Sequence, residues 1–153
     1  MKSEVKVTGK RLQITRVFDA PRAIVFAWWS QADKLERWSG CKEATKCHVE
    51  MDFRVGGSFT QRMHVAGKGE FTLTGTYDDI RVPERISYRA DLGHAVTHVV
   101  VEFFEEGNRT RIVVTEDGFR DEVSCKIVSH GIEESLDKLN TILAGEVVAE
   151  RCD

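Results

Sequence analysis

Three groups of side chains in this sequence are of types that do chemistry. "CKEATKCH" brings two thiols and an imidazole together, the donors of a zinc site. The spacing Cys41-x5-Cys47-His48 matches no common zinc knuckle, and on a strand the adjacent Cys47 and His48 point to opposite faces. His94 and His98 stand four apart, but on a turn and a strand rather than on a helix that would align them. No metal and no other cofactor is expected. "MDFRVGGSF" carries paired glycines like a phosphate loop, yet no helix follows it and no GKS or GKT occurs. Gly56-Gly57 therefore reads as a tight turn needing positive φ. No nucleophile elbow, HExxH or dinucleotide fingerprint is present, so the sequence points to binding before catalysis.

The third group is aromatic. "FAWWSQADKLERW" holds Trp28, Trp29 and Trp38, all the tryptophans of the chain. Such a cluster serves as core, as the wall of a ligand pocket, or as a platform for stacking bases. Base stacking needs a basic groove, and the net charge of −3 with no Arg/Lys-rich stretch argues against nucleic acid as a partner.

These side chains must be positioned by a single domain of 153 residues, with 41% apolar and 31% charged residues and neither repeat nor linker. "RLQITRVFD" alternates as a strand with Leu12, Ile14, Arg16 and Phe18 on one face. Pro21 opens a helix through "RAIVFAWW", and "QADKLERW" reads as a second, shorter one. From 45 to 117 the period is two. Cys47, Val49, Met51 and Phe53 share a face, as do Phe59, Gln61, Met63 and Val65. Phe71, Leu73, Gly75 and Tyr77 form another such set, followed by Ile86, Tyr88, Ala90 and Leu92. "VTHVVVEFF" and "TRIVVTE" complete six consecutive strands joined by hairpins. After Gly118 the period returns to 3.6, with Val123, Ile127, Ile132, Leu136, Leu139 and Leu143 in one stripe and Glu133, Glu134, Asp137 and Lys138 opposite. This predicts a helix from about 122 to Gly145, with that glycine as its C-terminal stop. The expected class is α+β: seven antiparallel strands curved around a long C-terminal helix, with two short helices between strands one and two.

The start of the chain lacks the apolar core of a signal peptide, and no unbroken apolar run spans a bilayer. Four scattered cysteines suit reduced thiols. A cytoplasmic protein without a membrane partner is expected, as a monomer or homodimer.

The words "FDAPRAIVFAWW", "LERWSG", "MDFRVGGSF", "GTYDDIRVPERISY", "VVVEFFEEGNRTRIVVTEDGF" and "HGIEESLDKL" come in an order that resembles the START-like, Bet v 1-like helix-grip superfamily. Within it the chain is similar to the SRPBCC branch named for the activator of the Hsp90 ATPase, over roughly residues 12 to 143 of one domain spanning 1–153. The resemblance implies a sheet gripping the last helix, with an apolar cavity between them. Trp29 and Trp38 match family positions on the two short helices, where they either seal the open end of the grip or touch a ligand. Departures are Gln31-Ala32 where the family often has Asp-Pro, Ser39 and Cys41 in place of Trp and Pro, and Ile132 in place of a cavity-lining Trp. The loss of two large rings implies a larger cavity. Hsp90 activators carry a further N-terminal domain, so the family name marks ancestry more than an Hsp90 partner.

Polar side chains on the inner face then become candidates. Arg16 and Glu116 both point inward by alternation, on strands that are neighbours in the family. They either pair with each other or anchor a ligand, since a buried charge needs a partner. Gln61 and Tyr88 are candidates to orient a ligand, beside Met63 on the same face. His130 faces either the cavity mouth or solvent. The expected function is binding of a small, largely apolar molecule; the alternatives are a cavity enzyme like the cyclase and dehydratase relatives, or a stress-response module.

Overall fold

The chain starts with a hairpin, which adds one strand to the seven expected. The computed structural model describes residues 3–39, 44–93 and 95–152. Strand β1 (Glu4–Thr8) pairs antiparallel with β2 (Arg11–Phe18), from Glu4 opposite Thr15 to Thr8 opposite Arg11. The two-residue turn is Gly9-Lys10, with Gly9 at φ +59°, as a tight hairpin whose first turn residue is glycine requires. Val5 and Val7 alternate with Glu4 and Lys6, a pattern too short to stand out beside the longer strands.

Helices α1 (Arg22–Ser30) and α2 (Ala32–Trp38) follow β2. Gln31 caps α2 with no side-chain hydrogen bond, in keeping with its poor capping chemistry. Six strands follow: β3 (Ala44–Met51), β4 (Ser58–Val65), β5 (Gly69–Arg81), β6 (Arg85–Asp91), β7 (Val96–Glu106) and β8 (Arg109–Asp117). All eight form one antiparallel sheet in the order β1-β2-β8-β7-β6-β5-β4-β3. The register aligns Leu12, Glu116, Val99, Tyr88 and Tyr77 in one row across the concave face. Opposite residues share a face, so this row points inward as a unit.

The long helix α3 (Glu122–Cys152) packs on β1, β2 and α2. Its phase differs from the expected one at the start. Cys125, Ser129, Leu136, Leu139 and Leu143 are buried, while Val123 and Ile127 are each 67% exposed. Two residues' displacement is about 200° around a helix, which puts Val123 and Ile127 on the far side from Cys125 and Ser129. Gly145 does not stop the helix. A single glycine costs only about 1 kcal/mol, and no proline follows it. No helix of the described residues is long and apolar enough to cross a membrane.

Candidate functional site

Aromatic rings occupy the space between the concave face and the two short helices. Trp29 of α1 meets Trp38 of α2 at 4.6 Å between ring centroids, Phe103 at 5.2 Å and Phe18 at 6.5 Å, all edge to face. Phe103 meets Phe26 at 5.0 Å, and Phe26 leads through Phe53 to Tyr77. Phe59 then touches Tyr77 at 5.3 Å and Tyr88 at 5.2 Å. Edge-to-face pairs set the positive rim of one ring against the negative face of another. Each such contact stabilises the core beyond area burial alone and fixes ring orientation.

The sequence makes local room for this network. A Cβ on Gly75 would lie 2.3 Å from the Phe59 ring and 2.5 Å from the Arg89 carbonyl oxygen, so only glycine lets Phe59 lie over β5. Trp38 donates its ring N–H to the Trp28 carbonyl at 2.9 Å, and Ser30 Oγ reaches the Ala27 carbonyl. Both acceptors lie in the last turn of α1, where carbonyls lack helical partners. Trp28 itself is buried beneath the cations of Lys34 and Arg37, each 4.8 Å from its ring centroid.

A cavity of about 30 Å³ remains among these rings. Its wall comprises Trp29 of α1, Leu35 of α2, Val49 of β3, Phe59 and Gln61 of β4, Tyr77 of β5, and Ile86 and Tyr88 of β6. That volume admits one or two water molecules, against the several hundred Å³ of a typical ligand pocket. The expected enlargement from smaller residues at 39 and 132 does not occur here. The cavity also sits under α1 and α2, with no described residue of α3 in its wall. Burial holds both tyrosine hydroxyls protonated, most strongly at Tyr88, where the charges of Glu116 and Tyr77 add to it. They remain donors at neutral pH, and Gln61 can both donate and accept.

Three of the candidate residues, Trp29, Gln61 and Tyr88, meet at this cavity. Trp38 stands behind Trp29, and Met63 lies half-buried further along β4. Ile132 packs partly buried against the core, outside the cavity wall. The His130 side chain is 78% exposed and faces Glu134 at 3.6 Å, which settles its two readings in favour of the surface. Leu35, Val49, Phe59, Tyr77 and Ile86 complete the wall without having been singled out as candidates. The alternation that placed four of them on inner faces was the signal that could have found them.

Arg16 and Glu116 are both buried, at 4% and 5% exposure, but they do not pair. Arg16 stands opposite Ile112, and Glu116 opposite Leu12, which separates them by four residues along the strands. Instead Arg16 Nη2 donates to Asp137 Oδ1 of α3 at 2.6 Å and Nε to Ser3 Oγ at 2.8 Å, while Nη1 is buried without a partner among the described residues. Glu116 accepts a hydrogen bond from Thr97 Oγ1 at 2.7 Å.

Burial pushes the Glu116 carboxyl up to about 7 from its ordinary 4.5, against the opposing hydrogen bond from Thr97. The folded chain thus holds an extra proton between about pH 4.5 and 7. This contribution to stability is full below the window and is lost as pH rises through it. Glu116→Gln keeps the shape without the charge. At pH 8 it is expected to be more stable than the parent by on the order of 3 kcal/mol, and near pH 4.5 about equal. Urea unfolding at both pH values checks this; an unchanged difference between them would sink it.

Of the thiol and imidazole group, Cys41 and His94 lie outside the described residues. Cys47 is half-buried, its thiol pushed up by burial and by Glu36, with Lys138 opposing. His48 turns to the other face, its Nδ1 3.1 Å from Glu36 and its Nε2 3.3 Å from Glu50. His98 Nε2 lies 3.1 Å from Ser87 Oγ and 3.5 Å from Asp78 Oδ2. Serine and carboxylate thus share one ring nitrogen, which is not the arrangement of a proton relay.

Solved structures share this architecture. The Mll3558 protein from Rhizobium loti is 29% identical, with 89% of this chain and 98% of that one covered and a TM-score of 0.72. A protein from Arthrobacter aurescens is 21% identical over 95% and 92%, with a TM-score of 0.79. CV1439 from Chromobacterium violaceum is 18% identical over 87% and 96%, with a TM-score of 0.78. No relative is found among curated proteins. The family profile of the activator of Hsp90 ATPase homolog 1-like proteins matches residues 19–144, most of the sheet and α3 to the end of its buried stripe, and the chain belongs to that family.

Proposed function

We propose that the protein binds a small, largely apolar molecule between α1–α2 and the concave face of β3–β6. The observation that carries this reading is the composition of the cavity wall: aromatic and aliphatic surface on every side, with Gln61, Tyr77 and Tyr88 as its polar groups. Apolar area removed from water supplies affinity at about 25 cal/mol per Å². The two hydroxyls and the amide orient a hydrogen-bonding group of the ligand. The cavity is too small for such a ligand as it stands, so binding selects an arrangement in which the rings of Phe59, Tyr77 and Tyr88 have turned aside.

Native mass spectrometry of protein purified from its own host is expected to show a co-purified small molecule. Titration of the apo protein with a naphthyl dye and with neutral aromatic ketones should quench Trp29 fluorescence. Gln61→Leu should weaken binding of the ketones about tenfold, the worth of one hydrogen bond, and leave binding of the dye's apolar ring nearly unchanged. Apo mass alone in repeated preparations, with no spectral response to the panel, would remove the proposal.

A catalytic reading has one observation in its favour, the buried carboxyl of Glu116 that titrates near neutrality. Glu116 lies outside the cavity wall, two strands from Tyr88, so binding is the preferred reading.

A further inference from the structure

The sheet has two edges, and they differ. At one edge, α2 packs on β3, and Glu36 Oε2 accepts the Val49 N–H at 2.9 Å, so a backbone group at that edge already has a partner. At the other edge, β1 pairs with β2 on one side and packs beneath α3, and no described element covers its free side. Such an edge is a template for another strand unless its side chains prevent pairing.

The side chains of β1 permit it in one register. We propose that two copies of this chain associate through β1, antiparallel about a two-fold axis at Val5, to continue the sheet across the dimer. Glu4 then stands opposite the partner's Lys6 and Lys6 opposite the partner's Glu4, while the two Val5 side chains meet on the concave side. Centring the axis on Glu4 or on Lys6 places like charges opposite each other. Registers centred between residues set valines against the charged face, and an axis at Val7 moves the overlap into the Gly9 turn. Exposure agrees with this choice. Val5 stands opposite fully buried Ile14 yet is 37% exposed, because no described element lies on its other side. A lone lysine on an edge opposes pairing, but a glutamate two residues away on the same face makes it a complement in a single register. The interface is isologous, as a two-fold requires, and five residues per strand keep it small and the association weak.

Sedimentation velocity on the untagged full chain, across a wide concentration series, is expected to show reversible dimerisation. Lys6→Glu puts like charges opposite twice and should raise the dissociation constant about tenfold or more. Glu4→Lys should do the same. The double exchange Glu4→Lys/Lys6→Glu restores both pairs and should return the constant to within about threefold of the parent. All three are surface changes, so thermal unfolding should stay close to the parent's and confirm that each folds. A parent that stays monomeric to millimolar concentration overturns the proposal. So does a dimer indifferent to Lys6→Glu, or one that the double exchange fails to restore.

Discussion

Replacing Asp137 by alanine is expected to destabilise the protein by about 3 kcal/mol, the low end of the cost of stripping a buried charge of its partner. For a chain of this size that lowers the unfolding midpoint by roughly 6–12 °C. The Arg16 side chain is 3% exposed, whereas Asp137 is 69% exposed, so the two partners stand in different solvents. Without Asp137 the guanidinium stays inside the fold with Ser3 as its remaining partner among the described residues. The reverse change should be mild. Arg16→Met leaves a carboxylate that water solvates, removes the unsatisfied Nη1, and puts apolar volume in its place. Its cost should stay within about 1 kcal/mol. Chemical denaturation of both variants decides the matter. Equal costs would show that the ion pair itself, and not the buried cation, is what the fold depends on.

The second large effect concerns the end of α1. Trp38→Ala removes a buried ring and should cost about 3–5 kcal/mol. Trp38→Phe keeps an aromatic ring near Trp29 but leaves the Trp28 carbonyl without its donor, at a cost of about 1–3 kcal/mol. The gap between the two variants, read from urea unfolding, separates packing from helix capping. If Trp38→Phe were neutral, the ring N–H would have no capping role. The tryptophan cluster is thus first a device for joining two short helices, with one of its rings exposed to a cavity.

Much of this was legible in the residues. Period-two alternation placed inner faces along β2 to β6, and with them Trp29's partner Phe18 and the polar candidates Gln61 and Tyr88, whereas Phe103 was seen only as part of an apolar strand. It placed Arg16 and Glu116 indoors as well. Their partners were not legible, because a partner depends on register. Four residues of offset along paired strands is about 13 Å, enough to hand Arg16 to α3 and Glu116 to Thr97. Asp137 was unrecognisable as that partner, since it belongs to the polar stripe of its helix. Strand β1 escaped because two valines in five residues carry little periodic signal; its Gly9-Lys10 turn was the better clue. The size of the cavity was equally out of reach, since rings packed edge to face fill space that a count of smaller residues would assign to a cavity.

The near-contact of Trp29 and Trp38 has an optical consequence. Their indole planes stand 60° apart with centroids 4.6 Å from each other. At that range the electronic transitions of the two rings couple, and the fixed skew that the fold imposes on the pair makes the coupling visible to circularly polarised light. The pair therefore writes its own signal into the circular dichroism of the folded chain. Because Trp29 also walls the cavity, the same signal registers any displacement of that ring. The fold carries an intrinsic chromophore at the place where its binding chemistry is expected.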